Sequence, residues 1–226
     1  MYQAAFFDVF NTLIGMHLPG TPHAHRVPLQ GAIERRLSRL DGSWQAAYGR
    51  VRGGEPGCVS PVTRLFAAAA DRSGVARGSL FAPLHRNETT LRRWMNVYED
   101  TVATLQALSA SCKLGIISNA WPYVESMLRL LGLWDYFHSV TISAQVGLSK
   151  PNPDIFELAL RTLHVAAEGA LFIDDMPQNV MAAEKVGLKG LWLVRSPMNP
   201  DNVPAPYRHL MQIQTLRQVI PLIENA

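Results

Sequence analysis

Residues 4–13 read AAFFDVFNTL, and in this stretch an apolar run stops at Asp8 and becomes polar within three residues. A buried strand that ends in one carboxylate and is followed by Asn11 and Thr12 is how open α/β sheets present a catalytic side chain. In a simpler interpretation, Asp8 only caps the turn after the strand. The segments that follow decide between the two interpretations.

From residue 98 onward, short apolar strands alternate with helices. The predicted strands are 113–117 (KLGII), 139–143 (SVTIS), 170–173 (ALFI) and 191–194 (LWLV). The predicted helices are 101–108, about 122–131, 154–163, about 177–186 and about 216–223. Such alternation requires right-handed crossovers, and it predicts an α/β fold in which a parallel sheet carries helices on both faces.

The chain between the first strand and residue 98 has a different pattern. Residues 17–29 contain three prolines and three histidines without a clear period, which is typical of an exposed loop. A helical period follows from about residue 30 to 94, so we expect a helical insertion. His17, His23 and His25 lack the fixed spacing of a metal site, and a metal at these histidines is not favoured.

Composition excludes several classes of protein. The formal charge of +3 is small for 226 residues, and the basic residues are scattered, so nucleic acid is not expected as a partner. The chain has no run of about 18 apolar residues to span a membrane and no signal-peptide pattern, which predicts a cytoplasmic protein. Cys58 and Cys112 are predicted to be structural thiols, with neither a disulfide nor a zinc site.

Polar residues follow several of the predicted strands. Because ligands of open parallel sheets bind at the carboxyl ends of strands, we expect these residues to converge at one edge. They are Asp8, Ser118, Asn119, Asp174 and Asp175, with Lys150 on a neighbouring loop. Carboxylates with one amine and one hydroxyl suit phosphoryl transfer, in which positioning and charge neutralisation supply most of the catalysis.

Three of these residues are predicted to be catalytic. Asp8 would attack phosphorus and form an aspartyl-phosphate. Lys150 would neutralise the phosphate and the nucleophile, and the hydroxyl of Ser118 would hold a phosphate oxygen. Taken singly, Ser118 could instead cap the helix that follows it, and Lys150 could pair with a surface carboxylate.

Other residues are predicted to hold a metal or the substrate. Asp175 and the nucleophile would share Mg²⁺, which prefers oxygen ligands. Asp174 and Asn179 would support this metal site from behind its ligands. Thr12 and Asn119 are expected to contact the substrate.

The chain resembles the haloacid dehalogenase superfamily, whose four motifs are matched in order. The matching stretches are FFDVFNTL (6–13), IISNA (116–120), LSKPNPDIF (148–156) and FIDDMPQNVMAAEKVGL (172–188). The resemblance covers nearly the whole chain. It implies a Rossmann-like catalytic core of residues 1–15 and 96–226, with residues 16–95 as a helical cap, and a hydrolase that acts on a small phosphorylated molecule with Mg²⁺.

One position departs from the family pattern. Family phosphatases usually carry a second aspartate two residues after the nucleophile, where it protonates the leaving group; this chain has Phe10 there. The resemblance implies that the backbone carbonyl of Phe10 still binds the metal. Loss of the acid would reduce the rate by about 10²–10⁴, unless a histidine of the cap supplies it.

Three functions are therefore compared. The first is a Mg²⁺-dependent phosphomonoesterase that prefers good leaving groups, such as anomeric sugar phosphates or acyl phosphates. The second is a metal-independent dehalogenase, because family dehalogenases also have an aromatic residue at the position of Phe10. The third is a non-catalytic protein with the same fold. Asp174 beside Asp175 favours the phosphatase, since adjacent carboxylates repel unless a cation neutralises them. The sequence leaves the oligomeric state open.

Overall fold

The structure is a computed structural model that describes residues 2–16, 95–120, 124–196 and 203–224. The strands are β1 (Ala4–Phe7), β2 (Ile14–Met16), β3 (Met95–Val97), β4 (Lys113–Ser118), β5 (Ser139–Ile142), β6 (Ala170–Asp174), β7 (Lys189–Leu193) and β8 (Gln212–Ile213). The α-helices are α1 (Thr101–Ser109), α2 (Val124–Leu130), α3 (Ser143–Val146), α4 (Pro153–Leu163), α5 (Pro177–Val186) and α6 (Ile220–Glu224). Short 3₁₀ helices span Trp134–Tyr136, Ala167–Gly169, Ala205–Tyr207 and Leu216–Val219.

Six strands form one sheet in the order β5-β4-β1-β6-β7-β8, and all neighbouring strands are parallel. The strand β1 is central, because Phe7 pairs with Ile116 on one side and with Ile173 on the other. A central strand of a parallel sheet is buried on both faces, which explains why residues 4–7 are apolar without alternation. The predicted parallel α/β sheet is confirmed.

Helices cover both faces of this sheet. On one face, Phe7 packs in a core with Leu105 of α1 and Leu128 of α2. On the other face, Phe6 packs with Phe156 of α4, and Ala182 and Ala183 of α5 join the same core. Successive residues of a strand point to opposite faces, so the adjacent phenylalanines of β1 supply both cores. The Rossmann-like architecture is therefore the observed one.

The helix ends follow the predicted local rules. The side chain of Asn152 accepts a hydrogen bond from the backbone N–H of Asp154 at 3.0 Å, and Pro153 opens α4. Gly187 ends α5 in the left-handed conformation with φ +104°, a region that glycine enters without steric cost. Among the described residues, no helix is long and apolar enough to cross a membrane.

Several boundaries differ from the predicted ones. The predicted strand 139–143 ends at Ile142, and Ser143 instead begins the short helix α3. The predicted strand 191–194 is shifted to Lys189–Leu193. The predicted terminal helix 216–223 is a 3₁₀ turn that continues into α6. The sequence did not predict β8, because two residues are too short to show a period.

The strands β2 and β3 pair antiparallel, with Ile14 opposite Val97 and Met16 opposite Met95. The chain segments that lead into and out of residues 17–94 therefore lie side by side. The helical cap assigned to residues 16–95, with its three histidines, lies almost entirely outside the described residues, as does Cys58. Its boundaries stay a prediction. Cys112 is a half-buried free thiol, and burial raises its pKa to about 11.

Candidate active site

Asp8 lies directly after β1 at the carboxyl edge of the sheet. Its backbone N–H donates to the carbonyl of Ile173 at 2.9 Å, which continues the pairing of β1 with β6 by one residue. Since Phe7 is in register with Ile173, this places Asp8 beside Asp174. Asp8 is 7% exposed. The apolar run that ends at Asp8 thus places a nearly buried carboxylate at this edge of the sheet.

Two predicted catalytic residues contact the carboxylate of Asp8. The hydroxyl of Ser118, at the end of β4, donates to Asp8 Oδ1 at 2.9 Å. The ammonium of Lys150 donates to the same oxygen at 2.8 Å and to Asp174 Oδ2 at 2.5 Å. The side chain of Lys150 is 1% exposed, so the alternative in which it forms a surface ion pair does not hold. The three residues come together although they are far apart in the sequence.

Burial and charge act in opposite directions on Lys150. Burial alone would lower its pKa, but the charges of Asp174 and Asp8 and the hydrogen bonds to both raise it above the ordinary value. Lys150 is therefore protonated at neutral pH. For Asp174, burial dominates and raises the pKa to about 6, although the charge of Lys150 opposes this shift. A buried ammonium held by two carboxylates is suited to neutralising a developing negative charge.

The negative charge of Asp175 is strongly disfavoured by its surroundings. Burial raises its pKa well above the ordinary value, and the charges of Asp174 and Asp8 raise it further. A hydrogen bond from the side chain of Asn11 lowers it in part. The backbone of Asp175 is fixed by Trp192, whose indole N–H donates to the Asp175 carbonyl at 3.0 Å.

The three carboxylates fit a divalent cation. Asp8, Asp174 and Asp175 each offer an oxygen, and these oxygens lie within 4.8 Å of one another. In the described part of the chain, Lys150 is the ammonium that forms salt bridges to this group, and one positive charge does not balance three carboxylates. Hard oxygen donors around excess negative charge are what Mg²⁺ binds.

The contacts of Asp174 separate its role from that of Asp175. Besides Lys150, Asp174 accepts a hydrogen bond from Asn179 at 3.0 Å and one from the backbone N–H of Met176 at 2.7 Å. Both oxygens of Asp174 are thus used by protein donors. The oxygens of Asp174 are therefore less available to a cation than those of Asp8 and Asp175. The roles predicted for Asp8, Asp175, Asp174 and Asn179 at a metal site stay predictions.

Asn119 has a contact that the sequence did not predict. Its side-chain N–H donates to the carbonyl of Lys150 at 2.8 Å, and its side-chain oxygen accepts from the N–H of Lys150, also at 2.8 Å. The amide therefore holds the backbone of the residue that contacts Asp8. The predicted contact of Asn119 with the substrate stays a prediction.

Thr12 and Phe10 follow Asp8 closely in the sequence. Thr12 is fully buried, and its hydroxyl has no hydrogen-bond partner among the described residues. A buried hydroxyl without a partner is unfavourable. The predicted contact of Thr12 with the substrate stays a prediction. The side chain of Phe10 is 7% exposed and packs in the core. It offers no acid or base, and metal binding by its carbonyl stays a prediction.

Sequence reasoning missed Arg195 and Asp100. Arg195 forms a two-point ion pair with Asp100 and donates to the backbone carbonyls of Asn11 and Thr12. A signal for Arg195 was present, since it directly follows the predicted strand 191–194 at the same sheet edge. No local pattern marks Asp100.

Comparison with known proteins adds the family. A glyceraldehyde 3-phosphate phosphatase from Methanopyrus kandleri is 33% identical over 121 residues, which are 49% of this chain and 52% of that protein. A phosphoserine phosphatase from Thermus thermophilus is 33% identical over 148 residues, or 62% of this chain and 58% of that protein. The chain thus spans about half the length of the curated relatives it matches.

A solved structure of an L-2-haloacid dehalogenase from Xanthobacter autotrophicus, with chloropropionic acid covalently bound, has the same fold. Its TM-score is 0.67 at 18% identity, and the match covers 99% of both chains. This likeness concerns the fold alone.

A family model described as haloacid dehalogenase-like hydrolase matches residues 79–193. Because this match covers half of the chain, and the described fold and motifs agree with it, the chain belongs to the haloacid dehalogenase-like hydrolases.

Proposed function

We propose that the protein is a Mg²⁺-dependent phosphomonoesterase that acts through an aspartyl-phosphate on Asp8. The observation that carries this proposal is the buried carboxylate of Asp8, which is held by Ser118 and Lys150 beside two further carboxylates. The phosphatase relatives support the reaction class, and their names indicate small phosphorylated metabolites as substrates. A cytoplasmic location and a small phosphorylated substrate belong to the same proposal.

The first step uses Asp8 as the nucleophile. Ser118 and Lys150 both donate to Oδ1, so the carboxylate is fixed in orientation before the substrate binds. An oxygen of Asp8 forms a bond to phosphorus while the bond from phosphorus to the ester oxygen breaks. Water then attacks phosphorus while the bond from phosphorus to Asp8 breaks; the water gives up its proton to the solvent, phosphate leaves, and the carboxylate is regenerated. Fixed orientation removes much of the entropy cost of the attack.

The charges around Asp8 decide which residues hold the phosphate. Lys150 would place its positive charge beside the transferred group, and the hydroxyl of Thr12, which has no hydrogen-bond partner among the described residues, would bind a phosphate oxygen. Asp8, Asp175 and the carbonyl of Phe10 would hold Mg²⁺, while Asp174 and Asn179 would orient the site. When bound, the cation supplies neutralisation of the charge that phosphate and carboxylates bring together.

The absence of an acid at Phe10 leads us to expect a preference for substrates with good leaving groups. Without an acid at this position, the leaving oxygen must depart without a proton from the residue two positions after the nucleophile. Good leaving groups, such as anomeric sugar phosphates or acyl phosphates, need little protonation and lose least. We therefore expect kcat/KM to rise steeply as the pKa of the leaving group falls.

The test is phosphate release from a series of aryl, alkyl, anomeric and acyl phosphates, with and without Mg²⁺. Wild-type protein is compared with Asp8→Asn, and Ser109→Ala serves as the control because, among the described residues, the Ser109 hydroxyl bonds only the nearby Gln106 carbonyl on an exposed helix end. Release should require Mg²⁺, disappear in Asp8→Asn and persist in the control. Equal, low rates across the series would contradict the leaving-group preference.

A second candidate is dehalogenation, which the aromatic side chain of Phe10 favours. Asp175 argues against dehalogenation without metal. Its carboxylate lies beside those of Asp174 and Asp8, and a cation would best balance their charges. Halide release from 2-haloacids without metal, together with no phosphate release from any ester, would establish this alternative. Release of neither product would favour a protein that keeps the fold without catalysis.

A further inference from the structure

We propose that Arg195 is a positioning residue that holds the Asp8 segment, defined as residues 8–14, in its active geometry. The catalytic consequence of this proposal rests on the proposed phosphatase function. Arg195 lies two residues after β7, at the same carboxyl edge of the sheet as Asp8. It contacts the Asp8 segment through backbone atoms, and therefore acts whichever side chains the segment carries.

The guanidinium of Arg195 donates to two consecutive carbonyls of the Asp8 segment. Nε donates to the carbonyl of Asn11 at 3.2 Å, and one terminal nitrogen donates to the carbonyl of Thr12 at 2.6 Å. These carbonyls lie between Phe10, the proposed metal ligand, and the point where the segment enters β2. Two charge-assisted hydrogen bonds to neighbouring carbonyls fix the path of the backbone there.

The guanidinium is itself held from a second part of the chain. Asp100 accepts from both terminal nitrogens of Arg195, at 3.0 and 3.1 Å, and also from the N–H of Leu216 at 2.8 Å. The ring of Tyr98 lies 3.7 Å from the guanidinium carbon. Asp100 is only 4% exposed. Arg195 thus joins the segment that leaves the sheet after Asp8 to the segment that returns after β3.

Asn11 connects the backbone held by Arg195 to the carboxylate of Asp175. Its φ of +60° is in the left-handed region, which asparagine adopts more readily than most residues. Its backbone is held by Arg195, while its side chain forms a hydrogen bond to Asp175. A change in the Asp8 segment would therefore displace both the Phe10 carbonyl and the partner of Asp175.

Lysine cannot replace Arg195 at this position. The contacts use Nε and both terminal nitrogens in one plane, and the flat guanidinium stacks on Tyr98. Lysine offers a single ammonium on a flexible stem, so it cannot reach two carbonyls and a carboxylate with the same geometry. Arg195→Lys therefore keeps the positive charge and removes the planar set of N–H donors.

The experiment compares Arg195→Lys with Arg129→Lys as a matched control. Arg129 also pairs with a carboxylate, Glu125, and stacks on an aromatic ring, Trp134, but it has no contact with the Asp8 segment. Amide hydrogen exchange is followed at residues 8–14, where the N–H groups of Asn11, Leu13 and Ile14 form the turn. kcat, KM and the melting temperature are measured on the same samples.

Arg195→Lys should increase the exchange rate of these amides by about tenfold or more and lower kcat by a similar factor, with KM changed less than kcat. Arg129→Lys should change neither. Asp100→Asn, which keeps the shape and weakens the ion pair, should give a smaller change in the same direction. A lower melting temperature for Arg195→Lys, with unchanged exchange and kcat, would overturn the proposal. If the wild type releases no phosphate, the proposed function fails, and the exchange rates alone decide the positioning role.

Discussion

Lys150 places a positive charge in the protein interior, where it is held by Asp8 and Asp174. Taking an ammonium and two carboxylates out of water is unfavourable, and the attraction between them offsets this cost only while all partners are present. Each of the three residues is therefore more important to the other two than a surface charge would be. The loss of the ammonium is more harmful than the loss of the whole arrangement.

This asymmetry leads to a prediction for Lys150→Met. We expect the free energy of unfolding to fall by about 3–5 kcal/mol, because two buried carboxylates are left without their cation. Adding Asp174→Asn to Lys150→Met should restore part of this loss by removing one of the unpaired charges. Urea denaturation of the single and double variants at pH 7 measures both effects, and neither variant should release phosphate.

Lys113→Met is the control for Lys150→Met. The ammonium of Lys113 donates to the carbonyl of Leu163 at 2.9 Å, but Lys113 is exposed and pairs with no carboxylate of the described residues. Its replacement should cost about 1 kcal/mol or less. A double variant less stable than Lys150→Met alone would show that Asp174 is stabilising without Lys150, contrary to the prediction.

Among the elements, β4 and the loop before α4 are joined by Asn119. The amide of Asn119 exchanges two hydrogen bonds with the backbone of Lys150, so the end of one strand sets the position of the ammonium. A net contribution of about 1 kcal/mol for each hydrogen bond corresponds to roughly a thirtyfold effect on the rate if both bonds orient Lys150 for catalysis. Asn119 therefore links the second and third sequence motifs.

Asn119→Ala should lower kcat by about tenfold or more and change KM little, because Lys150 loses its orientation while the substrate site keeps its shape. A rise in KM with unchanged kcat would instead indicate the predicted substrate contact of Asn119. Steady-state kinetics on the best substrate distinguishes the two roles.

Asn152→Ala is the matched control on the same loop. Its side chain caps α4 through a hydrogen bond from the N–H of Asp154 rather than from Lys150, so the variant should lose about 1 kcal/mol of stability and keep its kcat. Equal losses of kcat in both asparagine variants would mean that the loop as a whole, rather than the Asn119 amide, controls the rate.

The elements also show how far the sequence could be interpreted. Asp8 and Asp174 were predictable, because an apolar run that ends in a carboxylate predicts both the strand and its polar end. Arg195 was less predictable, since its partner Asp100 is 95 positions away in the sequence, and no local pattern encodes that distance. The strand β8 is set by pairing with β7 rather than by its own two residues.

In the whole molecule, the strand order determines which residues meet. The central position of β1 between β4 and β6 brings Ser118 and Asp174 to either side of Asp8. The sequence predicted that these residues share an edge, but the order of strands is fixed by pairings between distant segments. This concentration of charge at one edge makes the stability of the whole protein depend on pH and on cations.

Asp174 determines the sign of this pH dependence. Its pKa is raised from 3.8 in the unfolded chain to about 6 in the folded protein, so the folded state holds the proton more tightly. The stabilisation that comes from this tighter proton binding is complete below pH 4 and is lost as pH rises through about 6. Asp174→Asn has no such proton to lose. Without divalent cations, its free energy of unfolding relative to that of wild type should therefore increase as pH rises from 4 to 6, by up to about 3 kcal/mol.

Mg²⁺ should oppose the loss of stability at higher pH, because it binds the deprotonated carboxylates of the folded state and competes with protons for them. The increase in the free energy of unfolding caused by Mg²⁺ should therefore be larger at pH 7 than at pH 4.5. Urea denaturation of wild type and Asp174→Asn across this range, with Mg²⁺ and with a chelator, measures both terms. Equal stabilisation by Mg²⁺ at pH 4.5 and pH 7 would show that the cation does not bind at Asp8 and Asp175, since burial raises the pKa of Asp175 well above its ordinary value and this carboxyl must release its proton when the cation binds.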